Sequence, residues 1–159
     1  MTQKVKRRRR KLQLVRLRKG DDPILKEICH EVKSFDILSN IIKDIEAILK
    51  RKHTAVGLAA PQAGYTKRII ATKLEGKITF YVNPEIIEMS PEREEDVEGC
   101  LSYPGKQVKV SRAKQIVFKA SFLGDPVEAR REFVSIGFEA RVIQHEIDHL
   151  NGKCIVGGA

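Results

Sequence analysis

At 159 residues the chain has the length of one domain, and 42% apolar against 32% charged residues is the balance of a folded chain, not a disordered one. No apolar run approaches the roughly 18 residues of a membrane span, and the basic N-terminus lacks the apolar segment of a secretory signal. The net charge of +9 is local: residues 1–19 carry ten of the 30 Lys and Arg and no acid, so the other 20 bases face all 21 acids.

In chain order, Lys4, Lys6, Arg7, Arg8, Arg9, Arg10 and Lys11 make residues 1–11 a basic arm. Such a block reads as a flexible, solvated tail or as a segment drawn to nucleic-acid phosphates. An organelle-targeting segment is the weaker reading, because Thr2 is its one hydroxyl. Leu12, Leu14, Val15 and Leu17 predict a first strand over 12–17, and Gly20-Asp21-Asp22-Pro23 a turn. Ile37, Ile41, Ile45, Ile48 and Leu49 recur at spacings of three and four, which predicts an amphipathic helix over 36–51 capped by Asp36 or Ser34. Thr54 to Gly64, rich in Ala and Gly and broken by Pro61, reads as a loop or irregular strand.

The middle of the chain is β-like. Residues 68–74 and 77–82 form a predicted hairpin about Glu75-Gly76. Ile86-Ile87 and Val108–Val110 are short strand candidates, 115–122 is another, and Gly124-Asp125-Pro126 turns the chain into 127–133. Apolar periodicity returns from Val134 to Leu150 and predicts a helix that stops at Asn151-Gly152. The expected class is α+β, with short antiparallel strands packed around a central C-terminal helix and one N-terminal amphipathic helix.

Three cysteines, an odd number, with no leader segment point to a reducing compartment: the cytoplasm, or an organelle matrix if the arm is a targeting segment. Cys29 and Cys154 sit among apolar neighbours and are expected to be buried and inert.

The chemistry is carried by His145-Glu146-Ile147-Asp148-His149, an HExxH motif on the last predicted helix. Histidines four apart on a helix are separated by about 40° of rotation and about 6 Å of rise, so both imidazoles can reach one metal ion. Glu146 lies one position along, where a carboxylate reaches a water beside that ion without ligating it. His30 and His53 have no such company and read as ordinary residues. Catalytic metal sites usually have a third protein ligand. Cys100, in Glu98-Gly99-Cys100-Leu101-Ser102, is a candidate, with a buried structural thiol the equal alternative; Gly99 would let backbone pass close to an ion or a substrate.

Three segments together resemble peptide deformylase. Val56-Gly57-Leu58-Ala59-Ala60-Pro61-Gln62 is similar to that family's first motif, Glu98-Gly99-Cys100-Leu101-Ser102 to its second, and Gln144 to Gly152 to its third. Asp22-Pro23-Ile24-Leu25, Tyr81-Val82-Asn83-Pro84 and Ser102-Tyr103-Pro104-Gly105 extend the likeness, which spans about residues 12–156. Two departures stand out. Ala55 occupies the place of the first motif's usual leading Gly, and seven residues after Gly152 resemble a short form without the C-terminal helix of many bacterial members.

The resemblance implies that residues 12–159 form one metallohydrolase domain that removes the formyl group of N-formyl-methionyl peptides and releases formate. Cys100, His145 and His149 would bind one divalent ion, Fe(II) in the cell, with Zn(II) or Ni(II) as replacements. Glu146 would be the general base and then the proton donor to the leaving amine. Gln62 and the Leu101 backbone N–H would hold the oxyanion. Val56, Gly57 and Gly99 would pair with the peptide backbone, and Val56, Phe138, the stem of Arg141 and Val142 would line the methionine pocket; as residues alone, Phe138, Arg141 and Val142 read equally as core positions. Asp148 would either support a histidine or face solvent. The basic arm would give affinity for ribosomal RNA in place of the absent helix. Two rivals remain from the residues themselves. A zinc endopeptidase shares HExxH, and a non-enzymatic RNA-binding module would use the arm but needs neither Glu146 nor Gln62.

Overall fold

The computed structural model of the protein describes residues 15–156. The basic arm and the first half of the strand predicted over 12–17 lie outside the described residues. Residues 15–19 are without regular structure; the Arg18 N–H bonds the Gln62 carbonyl instead of a strand partner.

Helix α1 spans Leu38–Arg51 and is preceded by a 3-10 turn, Phe35–Ile37, whose Asp36 N–H is capped by Ser34 Oγ. The predicted 36–51 helix therefore starts two residues late, because its first turn is wound more tightly. The Ala- and Gly-rich segment divides into a short strand β1 (Gly57–Ala59) and a 3-10 turn that holds Gln62. The predicted hairpin is formed by β2 (Ile69–Leu74) and β3 (Lys77–Met89), with Glu75 and Gly76 both at positive φ, as a type I′ turn requires. Ile86-Ile87 is not a separate strand: β3 continues through it, past a register shift at Asn83. Asn83 takes positive φ, and its side-chain amide accepts from Val32 N–H and donates to Val32 carbonyl.

Two strands depart further from expectation. β4 (Arg93–Cys100) has no counterpart in the sequence reading, and β5 runs over Tyr103–Ala113, well beyond 108–110. After β6 (Gln115–Phe122), β7 covers Arg131–Ile136, so α2 begins at Gly137 and ends at Leu150. Val134 and Ile136, expected on the last helix, belong to an edge strand and are exposed.

The strands form an antiparallel sheet ordered β1-β2-β3-β6-β7 and a separate two-stranded sheet, β4-β5. Alternation along β2 and β3 divides the core between the two helices. Ile69, Ala71, Phe80 and Val82 join Ile41, Ile45, Ile48 and Leu49 of α1. Ile70, Tyr81, Ile116 and Phe118 join Ala140, Ile143, Ile147 and Leu150 of α2. The large sheet thus lies between the helices, and the β4-β5 hairpin meets the remaining face of α2. Among the described residues no helix is long and apolar enough to cross a membrane.

Candidate metal centre

The His145-to-His149 segment lies on α2, whose apolar stripe on the large sheet turns the opposite face toward the hairpin. His145 and His149 rings are 5.1 Å apart between centroids. Cys100 ends β4, and its Sγ lies 3.3 Å from His149 Nε2. The sulfur and one nitrogen of each histidine all fall within 4.8 Å of one another. Bonds of about 2.3 Å to sulfur and about 2.0–2.1 Å to nitrogen, at tetrahedral angles, put such donors roughly 3.5 Å apart, so the set fits one divalent ion with little adjustment. His30 and His53 lie elsewhere and are exposed.

The electrostatics agree with this fit. His145 Nδ1 is 2.9 Å from Glu98 Oε2, which leaves Nε2 for an ion, the usual division of labour in a carboxylate–histidine–metal arrangement. Burial works against a charge on His145, yet its contacts with Cys100 and Glu98 win and push it up to about 10. Burial, with the charges of His145 and Arg112, pushes His149 down to about 3.

Glu98 is the hub that sequence reading missed. In the sequence it only opens the second motif, yet its carboxylate is buried and accepts from Arg112 Nε and Nη2, from Arg141 Nη1 and from His145. Burial opposes its ionisation, but the hydrogen bonds from His145 and Arg112 hold it at about 2. Arg112 Nη1 continues to Asp148 Oδ2 at 2.8 Å. Asp148 therefore acts on His145 through Arg112 and Glu98 and touches neither histidine. One acid at an inward strand position, two residues after Asp96 at the end of a run of exposed acids, offers no local signal of this role.

Glu146 is buried, and its Oε2 has no hydrogen-bond partner. Burial raises its carboxyl to about 7, against the opposing pull of the His145 and Arg112 charges, which suits a group that takes and returns a proton near neutrality. Gly57 covers it: a Cβ there would sit 2.6 Å from Glu146 Oε1 and 3.0 Å from Val142 Cγ1. Gly99 borders open space, where an ion or a substrate could approach its backbone. A Cβ at Gly99 would meet only the Lys106 carbonyl, at 3.8 Å, and open cleft otherwise.

Gln62 is buried with its amide fixed: Oε1 accepts from Ala59 N–H, and Nε2 donates to Ser102 Oγ and lies 3.6 Å from Cys100 Sγ. Its donor end thus faces the cluster. Among the described residues the Leu101 N–H meets no acceptor. Val56, Gly57, Gly99, Phe138, Arg141 and Val142 all line the cleft of about 960 Å³ that opens onto Cys100, His145 and Glu146. Phe138 stands at its rim, 59% exposed, so it is not a core residue of α2. Ala55 is buried and Cys29 is too, its thiol pushed by burial to about 11. Cys154, expected to be buried, is half-buried with its sulfur 3.2 Å from Tyr103 Oη.

Comparison with known proteins gives a consistent result. Residues 14–158 match the family model described as polypeptide deformylase. The peptide deformylase of Dictyoglomus thermophilum is 45% identical over 144 residues, 90% of this chain and 91% of its own. That of Carboxydothermus hydrogenoformans is 47% identical over 138 residues, 85% and 86% of the two chains. Among solved structures, the class I type b peptide deformylase from Acinetobacter baumannii bound to Met-Ala-Ser superposes with a TM-score of 0.83 at 32% identity, covering 92% of this chain and 98% of that one.

Proposed function

The chain belongs to the peptide deformylase family, a family of metal-dependent hydrolases, and on that premise we propose which of its atoms perform deformylation. Cys100, His145 and His149 hold one divalent ion; the observation that carries the reading is the approach of one sulfur and two imidazole nitrogens within 4.8 Å. When bound, such an ion supplies a Lewis acid that acidifies water and polarises the formyl oxygen. Fe(II) is the ion of the cell in this reading, with Zn(II) or Ni(II) accepted by the same soft and borderline donors.

Glu146 takes the proton of the attacking water and returns it to the amine that leaves with the peptide. Its burial under Gly57 serves both steps, since a carboxyl near neutrality can be base and then acid. Gln62 Nε2 and the Leu101 N–H donate to the oxygen on which negative charge develops. Ala59 and Ser102 hold the Gln62 amide in that orientation before substrate arrives. Glu98 keeps the His145 ring turned with Nε2 toward the ion.

The substrate is an N-formyl-methionyl peptide. Its backbone lies between β1 and β4, pairing with Val56, Gly57 and Gly99, while the methionine side chain enters beside Val56, Phe138, Arg141 and Val142. The Met-Ala-Ser peptide held by the Acinetobacter baumannii protein supports this class of ligand. Residues 12–159 act as one catalytic domain, and the basic block of residues 4–11 brings it to ribosomal RNA. Free thiols at Cys29, Cys100 and Cys154 suit the cytoplasm.

Anaerobic purification, elemental analysis and a formate assay on formyl-Met-Ala-Ser test the centre. One equivalent of metal and formate release that a chelator abolishes are expected; turnover that survives metal removal overturns the assignment. Deleting residues 1–11 should weaken ribosome cosedimentation at low salt and leave tripeptide turnover intact; unchanged cosedimentation refutes the role of the arm.

A further inference from the structure

We propose that Arg141 is a positioning residue for the metal centre, a latch that keeps the hairpin bearing Cys100 in register with the helix bearing His145 and His149. The inference rests on the ligand set proposed above.

The three ligands come from two bodies. His145 and His149 belong to α2, seated on the five-stranded sheet, whereas Cys100 ends β4 in a sheet that shares no strand pairing with the larger one. Side chains must therefore hold the hairpin against the helix to within a few tenths of an ångström. Gln144 bonds the N–H and carbonyl of Ala113, so it holds β5 alone and not the strand that carries Cys100. The Arg112–Asp148 pair ends on a carboxylate 39% exposed, which weakens it. The His145–Glu98 bond is made by a ligand itself.

Arg141 is different. From α2 it reaches both strands of the hairpin: Nη1 donates to Glu98 Oε1 at 2.8 Å and to the Val110 carbonyl at 3.0 Å, and Nη2 donates to the Glu94 carbonyl at 2.7 Å. Its side chain is 8% exposed, so these bonds are shielded from water. Glu98 already has a two-pronged guanidinium partner in Arg112 and does not need Arg141 to stay charged. What Arg141 adds is the pair of backbone carbonyls, one per strand, and a planar head with fixed donors serves them where an ammonium on a flexible stem does not.

The test uses zinc-loaded protein and its Arg141→Met, Arg141→Lys and Ile143→Val variants, with transfer of zinc to a chromophoric chelator at 25 °C as the readout. Arg141→Met should lose zinc affinity by about 10- to 100-fold, the range found when outer partners of metal ligands are removed. Arg141→Lys should fall between it and the parent. Ile143→Val loosens α2 only on its apolar side; it should lower the melting temperature and hold zinc as the parent does. With cobalt in place of zinc, the sulfur-to-metal absorption band should shift in the Arg141 variants, because the Cys100 bond is the one displaced. Zinc affinity within twofold of the parent in Arg141→Met, or in Arg141→Lys if the former does not fold, overturns the latch, as does an equal loss in Ile143→Val. Cys100→Ser separates this from failure of the ligand set: zinc bound as tightly as in the parent would show that Cys100 is no ligand, and the latch falls with it.

Discussion

Helix α2 is held on its two faces by different physics. Toward the large sheet it presents Ala140, Ile143, Ile147 and Leu150, packed on Ile70, Tyr81, Ile116 and Phe118. Toward the hairpin it presents Arg141, His145 and Asp148, joined to Glu98, Arg112 and two strand carbonyls. Apolar contact is non-directional and mostly responds to volume. Charge-assisted hydrogen bonds demand defined distances and angles. The apolar face therefore secures the helix, and the polar face sets where each reactive atom stands.

Substitutions on the two sides should separate accordingly. The largest effect is expected at Glu146→Gln, which removes the proposed proton carrier: formate release should fall by about 10²–10⁴-fold with metal content unchanged. A fall of less than tenfold would mean that the polar side does not carry the reaction. Gln62→Ala should lower kcat by about 10²–10³-fold with a smaller change in KM, read from steady-state kinetics; near-parental turnover would remove Gln62 from the site.

Glu98→Gln comes next, with metal affinity down by about 10- to 100-fold in a chelator competition. It has a second signature in acid. The Glu98 carboxyl is held at about 2 against an ordinary 4.5, so the stability it lends is present above pH 4.5 and lost as the pH falls toward 2. The parent should lose stability across that window, and the variant should show a flatter profile there. The smallest effect belongs to the apolar side. Ile143→Val should cost about 0.5–1.5 kcal/mol in denaturant unfolding, with kcat per folded molecule unchanged. A drop in kcat there would erase the distinction between the faces.

Legibility in the sequence followed the range of the interactions. The hairpin about Glu75-Gly76 and the stripe of α1 are local patterns, and both elements stand close to where periodicity put them. β4 was invisible because all its residues but Glu98 and Cys100 are exposed, so it carries no apolar alternation; its partner β5 supplies its order. The start of α2 was misplaced because Val134 and Ile136 continue an apolar spacing into a strand whose outward face meets solvent. Cys100 is a candidate ligand chiefly through family resemblance, being 45 positions from His145 with nothing local to join them.

Spacing alone determined that two imidazoles and a carboxylate share one helix, because a helix's geometry is written within four residues. The motifs determined the family for the same reason, as each is a short contiguous run. Only the tertiary structure decided that Glu98, among the clustered acids of β4, is the buried one, that Arg141 turns its head to the hairpin, and that Gly57 roofs Glu146. Those outcomes depend on which surfaces meet when two sheets close on α2, and no stretch of chain encodes them by itself.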